Sequence, residues 1–506
     1  MPQNHPTAPR GAGLAPRSIF LEGRFGRMFR NLAPFEPDPA SLTTLAGQMP
    51  EPPDPGTEGG AEDEGLDGPI PAGYTYLGQF IDHDITFDPV SSLQRLNDPE
   101  GLINFRTPRF DLDSLYGDGP NNNPFMYDQT VDGGKTSFLL GQNEKGERDL
   151  PRVGSPPSLA QGRALIGDPR NDENVIVGQL HLLFLTFHNK VVETIRAEQP
   201  VLSEDILFEE AQRWVRWHYQ WAVVHDFLGR IVGQDVIDDI LSDDQYAVLG
   251  GKASVKRIHL QFYRWQCQPF MPVEFSVAAY RFGHSMIRPD YRLNNGTPEI
   301  PIFTSGELRE EHQDLRGFRP LASDWTIDWS RFFEIGDNSS LQRARKIDTQ
   351  LAAPLSDVPA TNEPHRLAER NLLRGRALKL PSGQRVSRAM GIEPLSDDQL
   401  ALTAISDEFL GSAPLWFYVL KEAEIQTGGA SLGPVGGRIV AEVLLGMLKG
   451  DPFSYINIEP NWEPFLGQNP QDFTMGDLVA FTLGQGTQED PPQPGGCQQP
   501  AGSKGD

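Results

Sequence analysis

Residues 173–197 read ENVIVGQLHLLFLTFHNKVVETIRA, and their apolar side chains recur at i, i+3 and i+4. This spacing puts the apolar groups on one face of an α-helix, so the stretch predicts a long helix that packs into a core. Its longest apolar run, Leu180 to Phe187, contains His181 and Thr186 and is too short to cross a bilayer, which requires about 20 apolar residues. We therefore expect a core helix and no membrane span.

The same helical spacing recurs on both sides of this stretch, in residues 73–87, 204–241 (with breaks expected near Gly229 and Gly233), 272–287 and 437–449. Alternation with a period of two, which is typical of strands, is scarce, and Val255–Trp265 is the best strand candidate. Glycine and proline supply 51 and 44 of the 506 residues, which indicates long connections between elements. The predicted fold is therefore mainly α, a single large helical domain with long Pro/Gly-rich loops and little β structure.

Composition divides the chain into three predicted parts. Residues 1–69 form an N-terminal arm, partly extended or disordered, residues 70–487 form the helical domain, and residues 488–506 form a disordered tail rich in Gly, Pro and Gln. The N-terminus lacks the apolar segment of a Sec-type signal peptide. We expect a cytoplasmic protein or one exported by a non-classical route.

The charge balance excludes two classes of partner. The chain has 44 Lys and Arg against 69 Asp and Glu, a formal net charge of −25. Nucleic acid requires a cationic surface to neutralise its phosphates, and an anionic membrane repels a protein of this charge. Two cysteines, Cys267 and Cys497, cannot form a disulfide framework. The composition does not identify an activity, so the activity must be inferred from the motifs.

The first polar group lies in YTYLGQFIDHDITFDP, residues 74–89. Gln79, Asp82 and His83 stand at i, i+3 and i+4, which places them on one face of the predicted helix, whereas Asp84 points about 100° away. The trio indicates a pocket, and Asp84 is free to serve a different site. Taken alone, this fragment is better explained by a buried, hydrogen-bonded histidine beside solvated aspartates. A metal site is less favoured, because adjacent ligands on one helix chelate poorly without a third partner.

The second group lies in RTPRFDLDSLYGDGP, residues 106–120. Asp111 and Asp113 are two residues apart in a turn-forming segment, with Thr107 before them. Alternating carboxylates of this kind are ligands for a hard cation such as Ca²⁺. The spacing is not that of an EF-hand, and a solvated acidic loop is the alternative.

Two further groups contain histidines and arginines. Arg170 lies just before the predicted helix start at Glu173, so its side chain is expected to project into the site that this end of the helix faces. His181 and His188 are seven residues apart on that helix and are either a metal pair or, as we favour, packed histidines.

His284 lies in an apolar segment beside Gly283, where a planar group can approach the backbone. It is either a haem ligand or a core histidine. Asn371 and Arg374 follow at i, i+3 spacing, on one face of a later helix.

Together these segments resemble the animal-type haem peroxidase family of the peroxidase–cyclooxygenase superfamily, which includes myeloperoxidase and lactoperoxidase. The matching segments occur in the family's order: GQFIDHD (78–84), RTPRFDLDSLYG (106–117), GDPRNDEN (167–174) with LHLLFLTFHN (180–189), YRFGHSMIRPDYRL (280–293) and NLLRGRALKLP (371–381). The resemblance covers residues 70–465. Since the mammalian disulfides and the signal peptide are missing, it points to a bacterial or otherwise simplified member.

The resemblance implies a haem site. It makes His83 the distal histidine, Arg170 the distal arginine, His284 the proximal iron ligand and Asn371 the hydrogen-bond partner of His284. The remaining haem contacts that it implies are ester links from Asp82 and Glu173 to haem b and a propionate contact from Arg374. Asn174 stands where the leukocyte enzyme has a methionine bonded to a haem vinyl group, so that third link is expected to be absent.

The resemblance also implies a calcium site next to the distal histidine. Its ligands are the side chains of Asp84, Thr107, Asp111 and Asp113 and the carbonyl of Arg109. This Ca²⁺ would hold the distal helix in place.

The implied activity is that of a peroxidase that reduces hydrogen peroxide and oxidises a small electron donor through a ferryl intermediate. Halide, thiocyanate and phenol are the candidate donors. His83 has the right chemistry to move a proton between the peroxide oxygens, and Arg170 to stabilise the charge that develops. Gln79, one turn before His83, is placed to hold a water or a halide.

Two alternatives remain open. The superfamily contains fatty-acid dioxygenases, in which a radical tyrosine lies three residues before the proximal histidine. That position is Arg281 here, which favours a peroxidase, but Tyr280 lies only one residue further away. The other alternative is a non-catalytic calcium-binding adhesion protein on the same scaffold.

Overall fold

The structure, a computed structural model, describes residues 23–51, 65–88, 102–154, 162–248, 251–265, 268–304, 313–359, 363–467 and 472–484. The predicted tail, 488–506, lies outside these ranges, as do residues 1–22 and 52–64 of the predicted arm. The described arm residues lie against the helical domain, since Leu42 and Leu45 are buried and their helix packs on residues 367–377. The division into arm, domain and tail stays a prediction.

The fold is mainly α-helical, as predicted. The helices among the described residues are α1 Pro39–Ala46, α2 Gly73–Ile85, α3 Asp113–Tyr116, α4 Val175–Glu198, α5 Glu204–Trp221, α6 Leu228–Val232, α7 Gln234–Ile240, α8 Val273–Ser276, α9 Leu367–Ala377, α10 Gly383–Met390, α11 Asp397–Leu400, α12 Leu415–Thr427, α13 Pro434–Gly450, α14 Tyr455–Ile458 and α15 Met475–Leu483. The predicted helices at 73–87, 173–197 and 437–449 are confirmed as α2, α4 and α13.

The stretch 204–241, predicted as a helix broken near Gly229 and Gly233, is a series of shorter pieces; the break at Gly233 is confirmed, whereas Gly229 lies inside α6. α5 continues through a π-helical turn, Ala222–Phe227, into α6, and the chain then breaks before α7. The break falls at Gly233, whose φ of 82° lies in the left-handed region that favours glycine.

The stretch 272–287, predicted as one helix, is not one. α8 ends at Ser276, Ala278 leaves the α-helical region with φ −128° and ψ −78°, and Ala279–His284 winds as a 3₁₀-helix. The apolar side chains of this stretch are buried, as the pattern predicted, but they pack through contacts between aromatic rings and not along one continuous α-helix. Tyr280, for example, stacks on Phe275 with ring centroids 4.5 Å apart. Here the apolar spacing predicts which side chains are buried, but it does not predict the type of helix that the backbone forms.

The strands are short. They are β1 Gly23–Gly26, β2 Asp67–Pro71, β3 Ile103–Asn104, β4 Gly141–Gln142, β5 Arg148–Asp149, β6 Leu241–Val248, β7 Gly251–Ile258, β8 Met271–Pro272, β9 Asp290–Arg292, β10 Glu299–Pro301 and β11 Arg343–Arg345. β1 pairs antiparallel with β3 and parallel with β8, and the other described strands form antiparallel pairs.

The predicted strand Val255–Trp265 is right only as far as Ile258, where β7 ends. The cause is a competing partner for the backbone. The amide groups of Gln261, Phe262 and Tyr263 donate to the buried carboxylate of Glu442 on α13 instead of to a neighbouring strand.

The core is built around α4. Phe184 of α4 stacks on Phe80 of α2 with centroids 4.7 Å apart, and both rings meet Tyr219 of α5 edge-on. Among the described residues, α4 is the one helix long and apolar enough to cross a membrane by length and composition, and 83% of its most apolar window is buried inside the protein. The packing of α2 on α4 sets the face of α2 that carries His83.

Candidate active site

A cavity of about 820 Å³ brings together residues that are far apart in the chain. Its lining comes from α2, from the segment before α4 and from the 3₁₀-helix Ala279–His284. Six of the predicted site residues line it: Gln79, Asp82, His83, Arg170, Glu173 and His284. Asn371 and Arg374 do not line the cavity, but Asn371 contacts His284, which does.

The wall before α4 is held by the chain that follows β10. The amides of Gly317 and Phe318 donate to the carbonyls of Glu173 and Asp172. A side chain at position 317 would put its Cβ 1.8 Å from the carbonyl oxygen of Asp172, so only glycine allows this approach. This contact holds the backbone of Glu173 at the cavity.

His83 is buried and neutral. Its Nδ1 lies 2.7 Å from the amide oxygen of Asn171, and its Nε2 lies 3.7 Å from Glu173 Oε1. An amide oxygen only accepts, so Nδ1 carries the proton and Nε2 presents a lone pair. Burial, and then the charge of Arg170, lower the pKa of His83. The imidazole is therefore a base at neutral pH.

Arg170 is held rigidly beside His83. Its Nη2 donates to Asp168 and to the carbonyls of His83 and Thr86, at 2.8, 3.0 and 2.7 Å. Its guanidinium also lies over the Phe87 ring, 4.5 Å from the centroid. Nη1 has no hydrogen-bond partner among the described residues and remains available to the cavity.

Asp168 was not predicted, although it precedes Arg170 by two residues. It is fully buried and bonds both Arg106 and Arg170. Burial alone would raise the pKa of Asp168, but the two guanidinium groups hold that pKa below its usual range. Asp168 is thus an ionised anchor for Arg170.

The two candidate ester carboxylates lie on the cavity wall. Glu173 accepts from Gln79 Nε2 at 2.6 Å, and Asp82 accepts from Thr86 Oγ1 at 2.8 Å. Asn174 lines the same wall and caps α4, its Oδ1 accepting from the amide of Ile176 at 2.8 Å.

His284 lines the cavity from the 3₁₀-helix Ala279–His284. Its Nδ1 lies 2.7 Å from the amide nitrogen of Asn371, whose oxygen accepts from Arg281 Nη1 at 3.1 Å. Burial, and then the charge of Arg281, lower the pKa of His284 to about 3. An amide nitrogen only donates, so Nδ1 accepts and the neutral ring carries its proton on Nε2; Nε2 can bind a metal once that proton is lost or once the Asn371 amide is reversed. Arg374 pairs with Asp88, the closest atoms being 3.6 Å apart.

The acidic residues form a separate cluster beside α2. One carboxylate oxygen from each of Asp84, Asp111 and Asp113 lies within 4.8 Å of the others. Leu112 adopts the left-handed conformation, φ 55°, which lets the carboxylates on either side of it converge. Thr107 Oγ1 donates to Asp111 at 2.6 Å, and the Arg109 amide bonds the Thr107 carbonyl.

This cluster fits a cation. Asp84 is fully buried, and neither of its carboxylate oxygens has a hydrogen-bond partner among the described residues. Burial and then the two neighbouring carboxylates raise the pKa of Asp84 well above its usual range, and the pKa of Asp113 rises to about 7. A hard cation would supply the charge that these oxygens lack.

An ion-pair chain joins the acidic cluster to the cavity. Asp113 lies 3.2 Å from Arg106, Arg106 bonds Asp168, and Asp168 bonds Arg170. Arg106 was not predicted either, because it is 62 residues from Asp168 in the chain. The other two helix histidines do not line the cavity: His188 bonds Tyr116 and the Thr136 carbonyl, and His181 bonds Asn171.

Comparison with protein families finds one match over most of the chain. The family model described as animal haem peroxidase matches residues 90–461. Thyroid peroxidase of Homo sapiens is 23% identical over 389 residues, which cover 71% of this chain and 39% of that protein. A peroxidase-like protein of Margaritifera margaritifera is 23% identical over 481 residues, covering 80% of this chain and 56% of that protein. The chain thus matches only about half or less of the length of these relatives.

Solved structures show the same fold. Peroxidase A from Dictyostelium discoideum superposes with a TM-score of 0.60 at 17% identity, over 90% of this chain and 93% of that one. A fatty acid alpha-dioxygenase of Arabidopsis thaliana gives a TM-score of 0.55 at 16% identity, over 94% of this chain and 82% of that one. Identity this low establishes the fold alone.

Proposed function

Because the chain belongs to the animal haem peroxidase family, we propose that it reduces hydrogen peroxide and oxidises a small donor. The observation that carries the proposal is that a neutral base, His83, a cation, Arg170, and the neutral imidazole of His284 line one cavity. Peroxide reduction requires a base and a cation on the side where peroxide enters, and an iron ligand on the other.

The residues around the cavity fit a haem. His284 would ligate the iron through Nε2, with the Asn371 amide turned so that its oxygen accepts the Nδ1 proton. Apolar side chains supply much of the remaining wall, among them Phe282, Ile287 and Leu355. Asp82 and Glu173 are the candidates for ester links and Arg374 for a propionate contact. When bound, the haem supplies the iron at which peroxide is reduced and holds the oxidising equivalents.

The protein side chains manage the proton. His83 Nε2 takes a proton from one peroxide oxygen and returns it to the other, which leaves as water. Arg170 Nη1 stabilises the negative charge that develops on the departing oxygen, and it costs little reorganisation because Asp168 already holds the guanidinium. The amide nitrogen of Gln79 is engaged by Glu173, which leaves its amide oxygen to position a water near His83. Halide, thiocyanate and phenol remain the candidate donors.

The haem-loaded protein is expected to react rapidly with peroxide and then to oxidise iodide, bromide or a phenol, followed by stopped-flow absorbance. Wild type should show a Soret band that His284→Ala lacks. His218→Gln, which changes a buried histidine away from the cavity, should keep it. Absence of a Soret band in wild type would favour the calcium-binding adhesion alternative.

The dioxygenase alternative is tested in the same preparation. The hydroxyl of Tyr280 is buried on the cavity wall and has no partner among the described residues, so a radical role is sterically open to it. Rapid oxygen uptake with linoleate that disappears in Tyr280→Phe, without peroxide-dependent donor oxidation, would contradict the peroxidase proposal.

We propose that Asp84, Asp111 and Asp113, with Thr107 and the Arg109 carbonyl, bind Ca²⁺. Asp84→Asn is expected to abolish stoichiometric calcium, measured by elemental analysis. It should also remove the calcium-dependent gain in stability, which is about 2.7 kcal/mol at a hundred times Kd. In chelator the variant should be at least as stable as wild type, because it removes a buried carboxylate that lacks a hydrogen-bond partner.

The control is Asp118→Asn, which changes an exposed carboxylate in the same loop and should leave calcium binding and thermal stability as they are. Wild type that contains no calcium, or Asp84→Asn that retains it, would contradict the calcium site.

A further inference from the structure

The candidate base, His83, and two buried side chains behind it form a hydrogen-bonded line. The amide oxygen of Asn171 lies 2.7 Å from His83 Nδ1, and its amide nitrogen lies 2.9 Å from His181 Nδ1. The exposed fraction is 5% for His83 and 0% for both Asn171 and His181. Water therefore does not compete for these bonds.

Local structure places Asn171 between the two rings. It lies in the 3₁₀-helix Pro169–Asp172, where its amide bonds the Asp168 carbonyl. This short helix leads directly into α4, so Asn171 faces His181 across the first turns of α4, while α2 brings His83 to its other side.

The line has a direction, because an amide accepts at oxygen and donates at nitrogen. With the oxygen toward His83, the His83 proton is on Nδ1 and Nε2 is bare. With the nitrogen toward His181, Nδ1 of His181 must accept, so its proton is on Nε2. Burial lowers the pKa of His181 to about 3, which keeps that ring neutral and able to accept.

The reversed line would disable the base. If the Asn171 nitrogen faced His83, Nδ1 of His83 would accept and its proton would move to Nε2. Nε2 is the atom nearest Glu173 on the cavity side, and a protonated Nε2 on a neutral ring has no lone pair to take a proton from peroxide. The orientation of one buried amide thus decides whether His83 is a base in the cavity.

We propose that Asn171 is a positioning residue, oriented by His181, that holds His83 in the tautomer whose lone pair faces the cavity. The inference rests on the proposed peroxidase function, since it assigns a role in the proton step of that reaction. Neither residue touches the cavity, and neither was among the predicted site residues.

The test uses a matched pair of variants in the haem-loaded protein. Asn171→Leu keeps the volume but has no acceptor, and it should slow the reaction with peroxide by about 10- to 100-fold, as loss of a hydrogen bond behind a functional histidine does elsewhere. Asn171→Asp retains an oxygen for the Nδ1 proton and should recover most of the wild-type rate. Stopped-flow absorbance measures both.

Carbon monoxide binding to the reduced haem separates positioning from collapse of the site. That reaction needs no proton transfer, so its rate should be the same in wild type and in both variants. If the carbon monoxide rate falls in parallel with the peroxide rate, Asn171 is merely structural and the proposal is wrong.

His181 supplies an independent arm should Asn171→Leu fail to fold. His181→Leu removes the acceptor for the Asn171 nitrogen and should slow the peroxide reaction, whereas His181→Gln supplies an acceptor and should not. In the Asn171→Asp variant, the further change His181→Leu should not slow the peroxide reaction. Both oxygens of a carboxylate accept hydrogen bonds, so His181 is no longer needed to orient the group.

The outcomes separate this inference from the function. Wild type that binds haem but does not react with peroxide would refute the proposed function. Wild type that reacts while Asn171→Leu or His181→Leu reacts at the same rate would refute the positioning role alone.

Discussion

Replacing His83 with leucine is expected to slow the reaction of the haem-loaded protein with peroxide by about 10²- to 10⁴-fold, the range for loss of a general acid–base catalyst. His83 is the neutral ring that presents a lone pair to the cavity, and Asn171 holds its other nitrogen. Without that ring the proton must move through solvent between the peroxide oxygens. Haem content should not change, because the proposed iron ligand, His284, is on a different element.

The measurement is the second-order rate constant for peroxide by stopped flow, together with the Soret absorbance per mole of protein. His218→Gln serves as the control, because it alters a buried histidine that bonds the Trp214 carbonyl away from the cavity. A His83→Leu variant that reacts at the wild-type rate would refute the assignment of the base. One that loses its haem would show that His83 is required to hold the cofactor.

Asp168→Asn is expected to lower the free energy of unfolding by about 3–5 kcal/mol, the cost of removing one partner from a buried ion pair. Asp168 is fully buried and bonds both Arg106 and Arg170, so its loss leaves two buried cations with weaker partners. Arg170 would then be less rigidly placed, and the rate with peroxide should fall by about 10²- to 10³-fold.

The stability effect should depend on pH in a definite sense. The pKa of Asp168 lies below the usual carboxyl range in the folded protein, so the unfolded chain binds the proton first as pH falls. The stability that Asp168 contributes is therefore fully present above its unfolded pKa of about 3.9 and is lost as pH falls toward the folded value. The difference in free energy of unfolding between wild type and Asp168→Asn, measured by urea unfolding, should be smaller at pH 3 than at pH 7.

Asp149→Asn is the control for the second prediction. Asp149 is a buried carboxylate paired with Arg152 at 2.8 Å, and it does not line the cavity. The control should lose stability but keep its rate with peroxide. If Asp168→Asn keeps the wild-type rate despite losing stability, Asp168 does not position Arg170.

The helices could be read from the sequence where local periodicity and packing agree. α2, α4 and α13 follow their apolar stripes closely. The stretch 272–287 shows the limit, because ring contacts bury the same side chains in a tighter winding. The end of β7 shows another, since Glu442, 180 residues away in the chain, takes the amide of Phe262. Periodicity carries no information about such a distant partner.

The candidate site, like the fold, has a part that the sequence predicts and a part that it does not. Helical spacing alone puts Gln79, Asp82 and His83 on one face and Asp84 on another, and in the structure the first three line the cavity while Asp84 joins the acidic cluster. These relations lie within one helix, so backbone geometry determines them.

The sequence by itself therefore determined the helical class and the resemblance to haem peroxidases, and it supplied the residues that we propose carry the chemistry. Only the tertiary structure decided how those residues are held. Arg106 and Asp168 are 62 residues apart in the chain and Asn171 and His83 are 88 apart, and no local spacing rule specifies such pairs. The physical reason is that a proton's position on His83, or the rigidity of Arg170, depends on which buried dipole or charge the fold brings against it.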